Sequence, residues 1–254
     1  MSRIALTGGS SGIGAAVITR LKAQGHHVTV FDIVEPAGAD RWIGTDLSDP
    51  GAIDAALSQA EGPFDALINN AGLPPRAGLE AKILAVNWFG LTRMLDGLLD
   101  RLSAGAAIVN VASRAGAFWR DNLAEVQELR GLGFDSIDSF LAAKGMDATR
   151  AYNLSKEAVI VMTIARTQEM IGRGLRMNAV SPAAVSTGIL DDFVKAFGPR
   201  VAKNIERAGR AGTPEEVAEV IAFLASPASH WIKGQDICID GGMGSMAMTD
   251  MMSL

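Results

Sequence analysis

An alternation of two kinds of segment restricts this chain's fold more than any other feature. Short apolar, β-branched runs fall at Ile4–Thr7, His27–Phe31, Trp42–Gly44, Ala66–Ile68, Ala107–Val111, Arg176–Val180 and Asp236–Ile239. Most are separated by stretches with helical periodicity. Ile13–Gln24 places apolar residues at Ile13, Val17 and Leu21, and Leu84–Leu102 and Asn153–Ile171 are longer segments of the same kind. Glu215–Leu224 follows Thr213-Pro214, which suits an N-cap and a first helical position. Strands that are apolar throughout must be covered on both faces. The expected class is therefore α/β, a doubly wound parallel sheet of about seven strands. No Gly/Ser linker, proline-rich spacer or internal repeat divides residues 1–254, so one domain is expected.

The first strand runs into Thr7-Gly8-Gly9-Ser10-Ser11-Gly12-Ile13-Gly14, and a helix follows. A glycine turn in that position lets the backbone approach a pyrophosphate, and the helix N-terminus supplies free N–H groups and a positive dipole end. This makes the sheet Rossmann-type, with Gly8, Ser10, Ser11, Gly12, Ile13 and Gly14 at a dinucleotide. The second strand leads to Asp32, 18 residues beyond Gly14. A carboxylate there accepts hydrogen bonds from ribose hydroxyls and repels a 2′-phosphate. Ile33 and Val34 follow, and no Arg or Lys stands nearby to offset it. NAD is expected in preference to NADP. Asp46-Leu47 follows the third strand and borders the adenine or, equally, starts a helix.

Several other functions are disfavoured. A formal net charge of -5 argues against nucleic acid as a partner. No apolar run reaches the roughly 18 residues of a membrane span, and no signal-peptide pattern opens the chain, so a cytoplasmic location is expected. One cysteine, Cys238, allows no intrachain disulfide, and it reads as a small buried strand residue. His26, His27 and His230 have no metal-ligand spacing.

Further motifs occur in order along the chain: Asn69-Asn70-Ala71-Gly72, Asn87, Ser113, Tyr152-Asn153-Leu154-Ser155-Lys156 and Asp240-Gly241-Gly242. Together with Thr7, Gly8, Gly12 and Gly14 they resemble the short-chain dehydrogenase/reductase family over nearly the whole chain. Tyr152 and Lys156, four apart, share one helix face. An ammonium beside the phenol is expected to lower its pKa and make it an acid or base near neutrality. The resemblance implies that Lys156 also binds the nicotinamide ribose and that Ser113 hydrogen-bonds the substrate oxygen. It further implies that Asn87 holds a water relaying protons to Lys156. Asn70, Ala71, Gly72, Tyr152, Pro182, Val185 and Thr187 match further cofactor positions. Homodimers or homotetramers are usual in the family.

Two departures stand out. Ser113 and Tyr152 are 39 residues apart, more than the resemblance leads one to expect. The extra segment, 118–150, carries two helix-like stripes: Leu123, Val126, Leu129, and Ile137, Phe140, Leu141. It begins and ends at catalytic positions, which places it near the active-site mouth or at a subunit interface. The insertion resembles a subgroup that includes coniferyl alcohol dehydrogenase and bacterial 3α-hydroxysteroid dehydrogenase/carbonyl reductase, with wording closer to the former. A ring-containing aromatic or allylic alcohol is therefore the expected substrate, with Trp88, Phe118, Trp119 and Ile189 as pocket walls. Secondary alcohols and ketones are the alternative, and a catalytically silent NAD(H) sensor is a third reading. The second departure is Ser181-Pro182-Ala183, where Pro-Gly is usual by resemblance. Asp191-Asp192-Phe193 and the helix after them read as part of a lid, and the Met-rich tail as adaptable apolar surface.

Overall fold

The computed structural model describes residues 1–253. Its strands and helices follow in chain order: β1 (Arg3–Thr7), α1 (Gly12–Ala23), β2 (His27–Asp32), β3 (Arg41–Gly44), α2 (Pro50–Gln59), β4 (Phe64–Asn69), α3 (Glu80–Leu84), α4 (Leu91–Leu98) and β5 (Leu102–Val111). Then come α5 (Leu123–Arg130), α6 (Ile137–Lys144), α7 (Ala148–Ala165), α8 (Thr167–Gly172), β6 (Arg176–Pro182), α9 (Leu190–Phe197), α10 (Pro199–Arg207), α11 (Pro214–Ala225), β7 (Asp236–Ile239) and α12 (Met243–Met252).

All seven strands are parallel, in the order β3-β2-β1-β4-β5-β6-β7. Successive residues of each strand face opposite sides. Ala5, Phe31, Leu67 and Ile108 enter one core with α2, α3, α4 and α7, while Leu6, Val30, Ile68 and Val109 enter the other with α1 and α11. Strand order reverses between β1 and β4. The crevice at their C-terminal ends is where such sheets bind ligands.

Helix limits differ from the periodic pattern where backbone chemistry intervenes. The helix expected from Leu84 to Leu102 begins at Glu80, passes through a π-helical turn at Ala85–Gly90 and ends at Leu98; Leu102 already belongs to β5. The helix expected over Asn153–Ile171 begins at Ala148, capped by Asp147, and breaks at Arg166. Asp46 caps no helix. Its Oδ1 accepts from the N–H and Oγ of Ser48, and Asp49 caps α2 instead. Thr213 caps α11 in a reciprocal capping box with Glu216. Cys238 is exposed rather than buried, because β7 is an edge strand, and its Sγ accepts from Arg114 Nη1 at 3.1 Å.

Segment 118–150 contains α5, ended at Gly131, and α6, ended by Gly145 in the left-handed region. A half-buried ion pair ties α5 to α7. Arg150 holds Glu125 on α5 and Glu157 on α7, and Asn122 Nδ2 also donates to Glu157 Oε1. Glu157 is 1% exposed. No helix of the described residues is long and apolar enough to cross a membrane.

Candidate active site

The glycine loop is shaped by the exclusion of side chains. Gly8 (φ +73°) and Gly12 (φ +55°) adopt left-handed backbone that other residues enter with difficulty. A Cβ on Gly14 would stand 1.8 Å from the Gly8 carbonyl oxygen, and one on Gly8 would stand 2.6 Å from Ala71 Cα. Thr7 Oγ1 accepts from the N–H groups of Asn70 and Ala71, and Asn70 Nδ2 donates to the Gly8 carbonyl. The loops after β1 and β4 are thus one unit.

Asp32 closes this unit from the β2 side. Its Oδ2 accepts from the N–H of Gly9 at 2.7 Å and Ser10 at 2.9 Å, and its Oδ1 from Val34 at 3.1 Å. A carboxylate has about four acceptor sites, so one remains for a ribose hydroxyl. Ser10, Ser11 and Ile13 lie on the loop and the first turn of α1. Thr187 reaches the same loop, 3.3 Å from a Cβ built on Gly12. Pro182 ends β6, and Val185 is buried and bridges to Gly212. Leu47 is buried beneath the helix that carries Asn87, where a Cβ on Gly90 would meet its carbonyl at 2.2 Å. The cradle, its free helix N-terminus and the Asp32 carboxylate fit a dinucleotide.

The reacting end sits on α7. A buried polar row fixes this helix to the sheet: Asn69 Nδ2 donates to Asn110 Oδ1, and Asn110 Nδ2 to Thr163 Oγ1. Tyr152 and Lys156 are 5% and 4% exposed. Ser113 starts a single 3-10 turn, takes the Ala115 N–H on its Oγ, and sets its hydroxyl beside the Tyr152 phenol. Lys156 Nζ donates to the Val111 carbonyl at 2.9 Å and lies 5.8 Å from the Tyr152 ring centroid. A Cβ on Gly72 would come 3.3 Å from Asn87 Oδ1 and 3.4 Å from Lys156 Nζ, so these three residues share one small space.

Asn87 occupies the π-helical turn. Its Oδ1 accepts from Leu73 N–H at 2.7 Å, and its Nδ2 donates to the Leu73 carbonyl at 3.0 Å. The side chain therefore fixes the chain just after Gly72.

The expected lowering of the tyrosine pKa is not what the structure shows. Burial pushes the Tyr152 phenol up to about 12, against a smaller downward pull from the Ser113 hydroxyl beside it. Burial also lowers Lys156 to about 8. Removal from water disfavours phenolate and ammonium alike, and the Lys156 hydrogen bond goes to Val111 rather than to the phenol. With that shift the phenol stays protonated near neutrality.

The residues expected to wall the pocket are scattered. Trp88 is buried in the core, Phe118 and Ile189 are exposed, and Trp119 is half-buried with the Arg120 guanidinium 4.3 Å from its ring. The ring that touches Tyr152 is Phe193, edge-on at 5.3 Å between centroids, with Phe197 stacked behind it at 6.3 Å. Their i, i+4 spacing was the available signal. An open groove of about 620 Å³ runs from Gly12 and Thr187 between α1 and α11 and touches none of the reacting residues. Among the described residues no cluster of three or more His, Cys, Asp or Glu is placed to hold a metal ion.

Comparison with known proteins agrees with this geometry. A short chain dehydrogenase model matches residues 2–124, and an enoyl-(acyl carrier protein) reductase model matches residues 136–244. The two leave a gap inside the insertion. Coniferyl-alcohol dehydrogenase from Pseudomonas sp. (strain HR199 / DSM 7063) is 37% identical over 247 residues, covering 96% of each chain. The 3-alpha-hydroxysteroid dehydrogenase/carbonyl reductase of Comamonas testosteroni is 34% identical, covering 97% of this chain and 98% of the other. The crystal structure of the 3-alpha-hydroxysteroid dehydrogenase from Pseudomonas sp. B-0831, complexed with NADH, superposes with a TM-score of 0.82 at 34% identity, covering 97% and 98% of the two chains. The chain belongs to the short-chain dehydrogenase/reductase family of oxidoreductases.

Proposed function

We propose that the protein is an NAD-dependent dehydrogenase that interconverts a ring-containing alcohol, aromatic or allylic, with its carbonyl. The observation that carries this reading is the gathering of Ser113, Tyr152 and Lys156 at the open end of the sheet, beside a glycine cradle closed by Asp32. Coniferyl-alcohol dehydrogenase is among the relatives, which supports the ring-bearing substrate. Asp32 and the apolar, exposed Ile33 and Val34 favour NAD over NADP.

In oxidation Tyr152 Oη takes the substrate hydroxyl proton, and in reduction it returns it. Ser113 Oγ hydrogen-bonds the same oxygen and stabilises charge developing on it. Lys156 would hold a ribose hydroxyl of the dinucleotide and, with Asn87, pass the proton onward through water. The dinucleotide would supply the hydride acceptor for oxidation or the donor for reduction. A positive charge within about 4–6 Å lowers a phenol pKa, and the Lys156 ammonium is the cation this chain sets near the Tyr152 ring.

A second reading, secondary alcohols and ketones, is favoured by the likeness to 3-alpha-hydroxysteroid dehydrogenases. The working unit in this proposal is a cytoplasmic homodimer or homotetramer. Exposed Ile164, Ile171, Phe223 and Trp231 are apolar positions that such an assembly would cover.

The test is reduction of NAD and of NADP with cinnamyl, benzylic, steroid and small aliphatic alcohols. NAD-linked turnover concentrated in the cinnamyl and benzylic group is expected. Preference for steroids moves the assignment to the second reading. Tight NADH binding with no turnover of any alcohol refutes both and leaves a sensor.

A further inference from the structure

The catalytic tyrosine is covered by a segment that the body of the fold holds loosely. Neither α9 nor α10 has a fully buried residue. Leu190, Phe193, Val194 and Phe197 are only half-buried. Phe193 lies edge-on to Tyr152, and the Phe193 and Phe197 rings are parallel within 6°. On the outside, Arg76 grips Asp192 with two hydrogen bonds, Nε to Oδ1 at 3.3 Å and Nη2 to Oδ2 at 2.8 Å. Arg76 belongs to the loop that continues Asn70-Ala71-Gly72. The pair therefore crosses the mouth of the crevice, from the cofactor side to the lid. At the far end Arg207 pairs with Asp250 and ties α10 to α12.

We propose that Phe193, held over Tyr152 by the Arg76–Asp192 latch, is the specificity-determining wall of the site and selects a flat ring next to the reacting carbon. This rests on the reading of the site as an alcohol/carbonyl centre. An oxygen that reaches Tyr152 and Ser113 must bring its neighbouring carbons along Phe193. A planar ring meets the aromatic surface with favourable stacked or edge-on geometry as well as buried area, whereas an aliphatic chain gains area alone. The latch is half open to water, with the Arg76 side chain 58% exposed and that of Asp192 14% exposed. Its strength, and with it the seating of Phe193, falls as ionic strength rises.

The test uses Phe193→Leu, Arg76→Gln and the reversed pair Arg76→Asp with Asp192→Arg, in the full-length protein. Phe193→Leu is expected to lower the ratio of kcat/KM for cinnamyl alcohol to that for hexanol about threefold to tenfold. Arg76→Gln is expected to raise KM for cinnamyl alcohol about twofold to fivefold without lowering kcat, and to remove the salt dependence of KM. In the free protein it should also speed amide hydrogen exchange across residues 190–207. The reversed pair should restore KM and slow exchange again. An unchanged ratio in Phe193→Leu overturns the specificity role. Wild-type lid exchange in Arg76→Gln overturns the latch. If the wild type turns over no alcohol, the specificity role fails with the reading of the site, while exchange in Arg76→Gln and the reversed pair still decides the latch.

Discussion

The cofactor cradle and the lid face each other across one crevice and are held by opposite means. In the cradle, backbone meets backbone. Gly8 and Gly14 leave no room for a methyl group, and hydrogen bonds that Thr7 and Asp32 accept and Asn70 donates fix the loops from three strands. The lid has no buried residue in α9 or α10, and its ties are side chains at the surface: Arg76 with Asp192, Arg207 with Asp250. The difference follows from the residues available to each: glycines let the cradle's backbones meet with no side chain between them, whereas half-buried rings and surface ion pairs leave α9 and α10 the more weakly held.

The largest effect that separates the two halves is expected at Gly14. Gly14→Ala forces a methyl onto the Gly8 carbonyl. It should lose more than ~4 kcal/mol of stability or unfold, and NADH fluorescence titration should show no binding. Near-native binding would mean that the cradle is not packed as described. Arg150→Met asks which half the insertion belongs to. Removing the cation leaves Glu157 charged and buried, a loss of about 3 kcal/mol readable in urea unfolding. A shift below about 0.5 kcal/mol, as for surface changes, would group the insertion with the lid.

Stability as a function of pH reports on burial at Lys156 and Tyr152. Lys156 has a folded pKa of about 8, below its ordinary value of 10.5. Between these values the unfolded chain binds more protons than the folded one. Wild-type stability should therefore rise with pH from 8 towards 10.5, by up to ~3 kcal/mol, and Lys156→Met should lack that rise. Tyr152, raised from 10.0 to about 12, acts in the opposite direction only above pH 10, so the window from 8 to 10 isolates the lysine. Parallel curves for the two proteins would show that burial does not penalise the ammonium. The smallest effect is at Arg207→Ala, where no measurable change in the unfolding midpoint is expected. A clear loss would show that the lid is packed rather than tied.

The same contrast explains how much was legible in the sequence. All seven strands and the glycine loop were readable, because local pattern dictates them: continuous apolar runs, and glycine where only glycine fits. Tyr152 and Lys156 were readable as a pair from helical spacing, and Asn87 and Ser113 from the family resemblance; the fold brings the four near one another. The Arg76–Asp192 and Arg150–Glu125 pairs were not, since they join segments far apart in sequence and each residue alone looks like a solvated charge. Cys238 misled because a strand's place at the sheet edge depends on topology, not on its own residues. The direction of the Tyr152 shift misled because helical spacing gives the distance to Lys156 but not the depth at which both are buried.

If the site works as proposed, Tyr152 moves the proton. The direct measurement compares Tyr152→Phe with wild type for NADH affinity and for the rate of NADH formation from an alcohol the wild type oxidises. Tyr152→Phe should still bind NADH, with an affinity within about tenfold of wild type, and lower the rate by about 10²–10⁴-fold. A rate within about tenfold of wild type would contradict it and move the acid–base role to another group.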